Sequence, residues 1–301
     1  MHSSLPVLAL LFNAFVWGVS WWPFRFLHQH GLHPLWATAL MYVLAVATLL
    51  VLRPQVLQLA RQHPALWLLA LATGLTNVCF NWAVTVGDVV RVVLLFYLMP
   101  AWSVLLAWKV LGDVPTRMAV VRLALAFAGV VLVMLPSGTG LTRLASDLSG
   151  ADVLALTGGF TFAVTNVLLR RLYRVPGSAR MLAMFGGGAL MATLGASAGM
   201  LAGIVAAPPA LAPAWVVVAL ALTLAFLLGN YALQYGAARL AAGTTALVML
   251  SEVLFASVSS WWLAAAELAP RTLVGGALIV LAALLATLPA RRKAAVDGSP
   301  P

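Results

Sequence analysis

Asn81–Gly87 reads NWAVTVG, and Asn230–Gly236 reads NYALQYG. Each is followed by a short break, one apolar run and an acid before the next run: DVPTR from Asp113 in the first case, ELAPR from Glu267 in the second. Nearer the front of each half, VLAL from Val7 has its match in VLAL from Val153. A single short apolar match is cheap by chance, but an ordered series of them is not. The series reads as an internal duplication, so the fold turns on how many apolar runs each copy holds.

Composition sets the solvent. Of 301 residues, 63% are hydrophobic and 8% are charged, whereas a soluble domain carries about 25% charged residues. So few charges cannot cover a surface in water, and most of the chain must face lipid. A helix needs about 20 apolar residues to cross the hydrocarbon. Ten such runs are read, starting near Leu5, Pro34, Pro64, Val89, Met118, Ala151, Ala179, Leu211, Ala241 and Pro270. The breaks between them are short and rich in turn and charge signals, such as HQHGLH and GDVPTR.

The expected architecture is an all-α integral membrane protein. It has a first five-helix repeat over 1–136, an inter-repeat loop over 137–150, a second repeat over 151–290 and a basic, disordered tail over 291–301. Five is odd, so the second copy re-enters the bilayer upside down and the ten transmembrane helices form a 5+5 inverted-topology repeat, with a binding site expected near the midplane. Basic residues gather in cytoplasmic loops. With both termini cytoplasmic, thirteen of the 17 Lys and Arg residues fall at or near the inside. The net charge of +10 is therefore read as topology in a multi-pass cell-membrane protein, not as nucleic-acid binding. Cys79 is the single cysteine and has no partner for an internal disulfide.

One acid does not fit the breaks. Glu252 lies within VMLSEVLFASVSSWW, Val248–Trp262, with about two apolar turns on each side. A charged acid at a helix centre costs roughly 2.5–3.5 kcal/mol on the insertion scale, and such a residue is a functional candidate by default. It can stay protonated and hydrogen-bond, pair with a base, bind a cationic part of a solute, or carry a proton during turnover.

Side chains three, four, seven and eight residues apart share a helix face. By that spacing the candidate solute-binding residues are Asn13, Trp17, Ser20 and Trp21 in span 1 and Asn77 and Asn81 in span 3. Span 4 adds Tyr97 and Trp102, span 6 adds Thr161 and Thr165, span 8 adds Asn230, Tyr231 and Gln234, and span 9 adds Glu252. For each Ser, Thr or Asn the competing role is helix–helix glue, worth roughly 0.6 kcal/mol per bond. Pro23 and Pro100 break hydrogen bonds inside spans 1 and 4 and are the candidate gating kinks. Spans 5 and 10 lack polar stripes and carry small residues instead, among them Ala126, Gly129, Gly275 and Gly276.

The layout resembles the EamA type of the drug/metabolite transporter superfamily. The resemblance rests on Trp17-Gly18, NWAV with its echo NYAL, YLMP at Tyr97–Pro100, Gly112-Asp113, SEVLFA from Ser251, and Glu267. Two departures stand out: Glu252-Val253 where the family often has Glu-Pro, and Gly112-Asp113 where it has Gly-Glu. The resemblance implies a carrier of small metabolites whose cavity is lined by spans 1, 3, 4, 6, 8 and 9, with 5 and 10 outside.

The expected function is secondary transport by alternating access, as an exporter of amino acids, aromatic or neutral, or of related compounds. Proton coupling is one way to drive it, and neither a cofactor nor a metal is expected. Drug or cation and nucleotide-sugar carriers are the alternatives of the same fold. A channel, a scramblase and a membrane-embedded enzyme rank below them. No G-x-x-x-x-G-K-[ST] phosphate loop is present. His28, His30 and His33 sit together on a short loop without a partner acid and are read as solvated, not as a metal site.

Overall fold

The computed structural model describes residues 4–87, 89–134, 149–264 and 270–287. Asp88, Asp147, Glu267, Asp297, most of the inter-repeat loop and the basic tail lie outside the described residues. Among the described residues every regular element is a helix. The first half holds α1 (Leu5–Val19), α2 (Trp21–Gln29), α3 (Pro34–Leu52), α4 (Val56–Arg61), α5 (Ala65–Val86), α6 (Val89–Phe96), α7 (Met99–Leu106), a π turn over Ala107–Leu111, and α8 (Arg117–Met134). The second holds α9 (Gly150–Arg171), α10 (Gly177–Leu201), α11 (Pro213–Ala237), α12 (Ala242–Met249), α13 (Glu252–Ala264) and α14 (Pro270–Thr287).

Among the described residues, eight stretches are long and apolar enough to cross a bilayer: Leu5–Gln29, Pro34–Leu52, Ala65–Val84, Val92–Leu111, Gly150–Arg171, Gly177–Leu201, Pro213–Ala237 and Ala242–Leu263. A shorter apolar stretch, Leu273–Leu285, lies in α14. The protein is thus an all-helical, multi-pass membrane protein. Its outer surface agrees: Leu220, Leu224 and Leu228 repeat every fourth residue along α11 and are all exposed, a stripe that only lipid covers without penalty.

Helix starts are written in the sequence. Ser149 and Asp152 form a capping box at α9: the Ser149 N–H donates to Asp152 Oδ2 (2.7 Å) and the Asp152 N–H to Ser149 Oγ (3.2 Å), so two orphan amide donors are met. Pro34 and Pro213 open α3 and α11, where a missing N–H costs nothing. His33 caps α3, its Nδ1 accepting the Leu35 N–H at 3.2 Å. Burial first, and repulsion from His28 second, hold this imidazole below its ordinary pKa, which keeps the ring neutral and able to accept.

The packing partners follow a pattern. α1 lies on α11 and on α12–α13, while α9 lies on α5 and on α6–α7. α3 packs on α10, and α8 packs on α14. In the α8–α14 pair, a Cβ on Gly129 would sit 2.6 Å from the Gly275 carbonyl oxygen, and a Cβ on Gly275 would sit 2.6 Å from the Gly129 oxygen. The two backbones touch reciprocally, and the small residues read in spans 5 and 10 serve packing within the monomer. Replacing Gly129 by alanine is expected to cost about 1–3 kcal/mol through overpacking. Gly186→Ala, where no atom lies within 4 Å of the added methyl, is expected to be neutral or stabilising. Melting of the purified protein in detergent checks both.

Candidate functional site

Among the described residues, three membrane-crossing helices are broken near mid-length. α1 gives way to α2 at Ser20, three residues before Pro23. Proline at 23 has no N–H for the Val19 carbonyl, and its ring crowds that oxygen. The Ser20 Oγ donates to the Trp17 carbonyl at 2.7 Å and secures the bend. α6 gives way to α7 at Tyr97–Leu98, ahead of Pro100, for the same reason. The third break, at Leu250–Ser251 between α12 and α13, has no proline. Here Ser251 does the work: its N–H and its Oγ both donate to the Val248 carbonyl, at 3.1 and 2.7 Å. The missing Glu-Pro proline does not abolish the break.

Two glycines bring neighbouring helices onto these breaks. A Cβ on Gly18 of α1 would lie 2.6 Å from the Glu252 carbonyl oxygen, and one on Gly159 of α9 would lie 2.5 Å from the Phe96 carbonyl oxygen. Each half therefore supplies a helix that seats a glycine against the broken helix of the other.

Between the breaks lies a cavity with about 900 Å³ of atom-free space, its open mouth included. Its lining is aromatic and amide-rich. α5 presents Thr73, Thr76, Asn77, Phe80 and Asn81 on one face, with Trp17, Tyr97, Thr165, Asn230 and Glu252 arriving from other elements. Phe96, Met99, Phe162, Leu233 and Met249 complete much of the apolar wall. Tyr97 Oη donates to Glu252 Oε1 at 3.5 Å, a long bond that joins two of the breaks. Among the lining residues none is Lys or Arg.

Of the residues singled out by spacing, Trp17, Asn77, Asn81, Tyr97, Thr165, Asn230 and Glu252 line this cavity. The others lie elsewhere. Asn13 is buried and donates to Met249 Sδ at 3.4 Å. Ser20 bonds its own helix, and Trp21 Nε1 donates to Ser259 Oγ at 2.9 Å. Trp102 packs its ring edge-to-face with Phe160. Thr161 shares a 2.9 Å hydrogen bond with Thr76 behind the wall. Gln234 is buried 2.7 Å from the Asn230 amide, and Tyr231 is 62% exposed on the outer face of α11. Pro23 and Pro100 stand beside the breaks, not on the lining.

The lining also draws on helices outside the expected set. Tyr42 comes from α3, and Met184 and Phe185 come from α10. Tyr42 Oη donates to Asn77 Oδ1 at 2.9 Å, while Asn77 Nδ2 donates to the Thr73 carbonyl at 2.8 Å. This fixes which way the amide faces the cavity. Tyr42 is the one hydroxyl-bearing aromatic of its run, which was the available signal. Met184 and Phe185 sit among the apolar residues Met181–Ala192 and carried none.

These features define a class: a multi-pass membrane protein whose broken helices enclose a cavity with a single acid among its lining residues. Comparison with known proteins adds a family likeness. Residues 4–135 match the sequence pattern of the EamA-like transporter family, a family of membrane transporters within the drug/metabolite transporter superfamily. A solved crystal structure superposes with a TM-score of 0.77 over 97% of this chain and 100% of its own, at 19% identity. At that identity the likeness speaks for the fold alone. No curated protein sequence matches this chain.

Tyr42→Phe removes the donor that Asn77 Oδ1 accepts. It is expected to lower stability by about 1–2 kcal/mol and to weaken solute binding. Thermal melting with and without ligand separates the two effects.

Proposed function

We propose that this protein is a secondary carrier working by alternating access, and that it exports amino acids, aromatic or neutral, or compounds like them. The observation that carries this reading is the cavity itself, with Trp17, Phe80, Phe96 and Phe162 offering apolar faces beside Asn77, Asn81, Asn230 and one carboxylate, Glu252. Aromatic walls suit an apolar side chain, amides suit a polar head, and an acid suits an ammonium. A phosphorylated solute would meet no cation among the lining residues.

In this reading the chain forms ten spans as two five-helix units of opposite topology, 1–136 and 151–290. α8 and α14 are the fifth span of each, and both termini lie in the cytoplasm. The exchange of partners supports it: α1 relates to α11 and α12–α13 as α9 relates to α5 and α6–α7. The reciprocal Gly129–Gly275 contact is what a pseudo-two-fold axis between α8 and α14 would give. Glu252 holds the cationic part of the solute, and proton binding at the same carboxylate offers a means of coupling.

The test is counterflow of radiolabelled amino acids in proteoliposomes. Wild-type protein is expected to show saturable uptake stimulated by unlabelled solute on the other side, as a carrier does and a channel does not. Glu252→Gln is expected to keep the fold and lower the rate at least about tenfold, the loss of roughly one charge-assisted hydrogen bond. Wild-type rates for Glu252→Gln across pH 5–8 would take Glu252 out of the mechanism.

A further inference from the structure

At the junction of α7, α9 and α12, which pack on one another, three polar side chains are fully buried: Ser103, Asn166 and Thr245. Among the described residues none of their side-chain polar atoms has a partner: Ser103 Oγ, Asn166 Oδ1 and Nδ2, and Thr245 Oγ1 all stand alone. Each orphaned group costs about 1–3 kcal/mol. A junction built only for packing would carry Ala, Leu and Val there.

Their position along the helices is informative. Met99, Phe162 and Met249 line the cavity. Ser103 and Asn166 lie four residues after the first two, and Thr245 lies four residues before the third, each on the same face of its helix. Next to them Ala107, Val167 and Ala242 form a single buried apolar cluster. A second cavity adjoins that cluster, lined in part by Val104, Ala107, Leu247, Asp113, Arg122 and Arg170. The polar layer and the small apolar seal thus stand between the central cavity and a charged vestibule.

We infer that the polar layer is a second, transient solute site on the route between the central cavity and the vestibule, reached when the α7–α9–α12 seal parts. This rests on the carrier reading. Its groups carry both donors and acceptors and no charge, so they fit a polar head that offers both, such as the ammonium–carboxylate pair of an amino acid. A bare cation would leave Asn166 Nδ2 unmet, and an anion would face Asn166 Oδ1. The unpartnered groups weaken the sealed state and favour its opening, since exposure to solute or water satisfies them. The lone methyls of Ala107 and Ala242 keep the seal thin.

The experiment uses Ser103→Ala, Thr245→Val and Asn166→Leu in the full-length protein. Each is expected to leave the melting temperature in detergent unchanged or higher, because an unpaired buried group is removed. Each is expected to slow L-phenylalanine counterflow about tenfold, one lost hydrogen bond in the open state, with binding of L-phenylalanine in detergent retained. A second readout does not depend on the solute. In a Cys79→Ala background, Ala242→Cys is expected to react with a membrane-impermeant thiol reagent, and adding Asn166→Leu is expected to slow that reaction. Lowered melting temperatures with unchanged counterflow would make the three residues structural glue and overturn the inference, as would unchanged labelling of Ala242→Cys. If wild-type protein moves no L-phenylalanine, the solute assignment fails, and slowed labelling would still uphold the gated junction.

Discussion

Lipid offers nothing to hydrogen-bond. A backbone N–H or carbonyl that leaves a helix inside the bilayer must find a partner in protein or face a cavity, at a cost of several kcal/mol otherwise. This constraint arranges the molecule. The three mid-helix breaks, at Ser20, Tyr97–Leu98 and Leu250–Ser251, are not scattered over the bundle. Trp17, Tyr97 and Glu252, which flank them, line the same cavity. Serine hydroxyls take up loosened carbonyls at two of the breaks. Glycines at 18 and 159 let another helix press against the backbone beside two of them. The cavity and the breaks are one feature: polar backbone is tolerated there because the site is there.

Much of the fold was legible because bilayer physics is strict. Length and apolarity mark the crossing runs, and Pro23 and Pro100 mark two breaks. The third break was not legible as a break. The resemblance supplied a proline expectation that Val253 does not meet, and a serine that bends a helix through its own Val248 carbonyl looks in sequence like any serine. The pairing of α8 with α14 was half legible. Small residues announce close packing, but not against whom.

The site was legible where it is polar. Asn77, Asn81, Asn230 and Glu252 stand out against an apolar background because polar groups in a span need a reason. Asn13, Thr161 and Gln234 stand out for the same reason, yet Asn13 and Thr161 spend a hydrogen bond on a neighbouring helix and Gln234 spends one on Asn230 of its own. Spacing on one helix cannot say whether the facing surface is another helix or open space. The apolar wall was invisible for a related reason. Phe80, Phe96, Phe162 and Met184 differ in no way, as residues, from phenylalanines and methionines turned to lipid.

Glu252 gathers these threads. It is the first residue of α13, immediately after a break, so the dipole of a helix start favours a negative charge on it. The apolar walls around it disfavour that charge, and the Tyr97 hydroxyl that donates to its Oε1 offsets only part of this. A carboxylate in mid-helix would suffer only the second influence and would stay neutral. One at a solvated helix start would feel only the first and would stay charged. The break sets the two against each other at one residue, and the outcome then depends on what fills the cavity. A cation beside Glu252 tips the balance toward the charged form; an emptied, dehydrated cavity tips it back. In the proposed carrier reading, a group whose charge follows the occupancy of its own site links solute movement to a proton. The helix that ends at Met249 and the one that starts at Glu252 set that group beside the cavity.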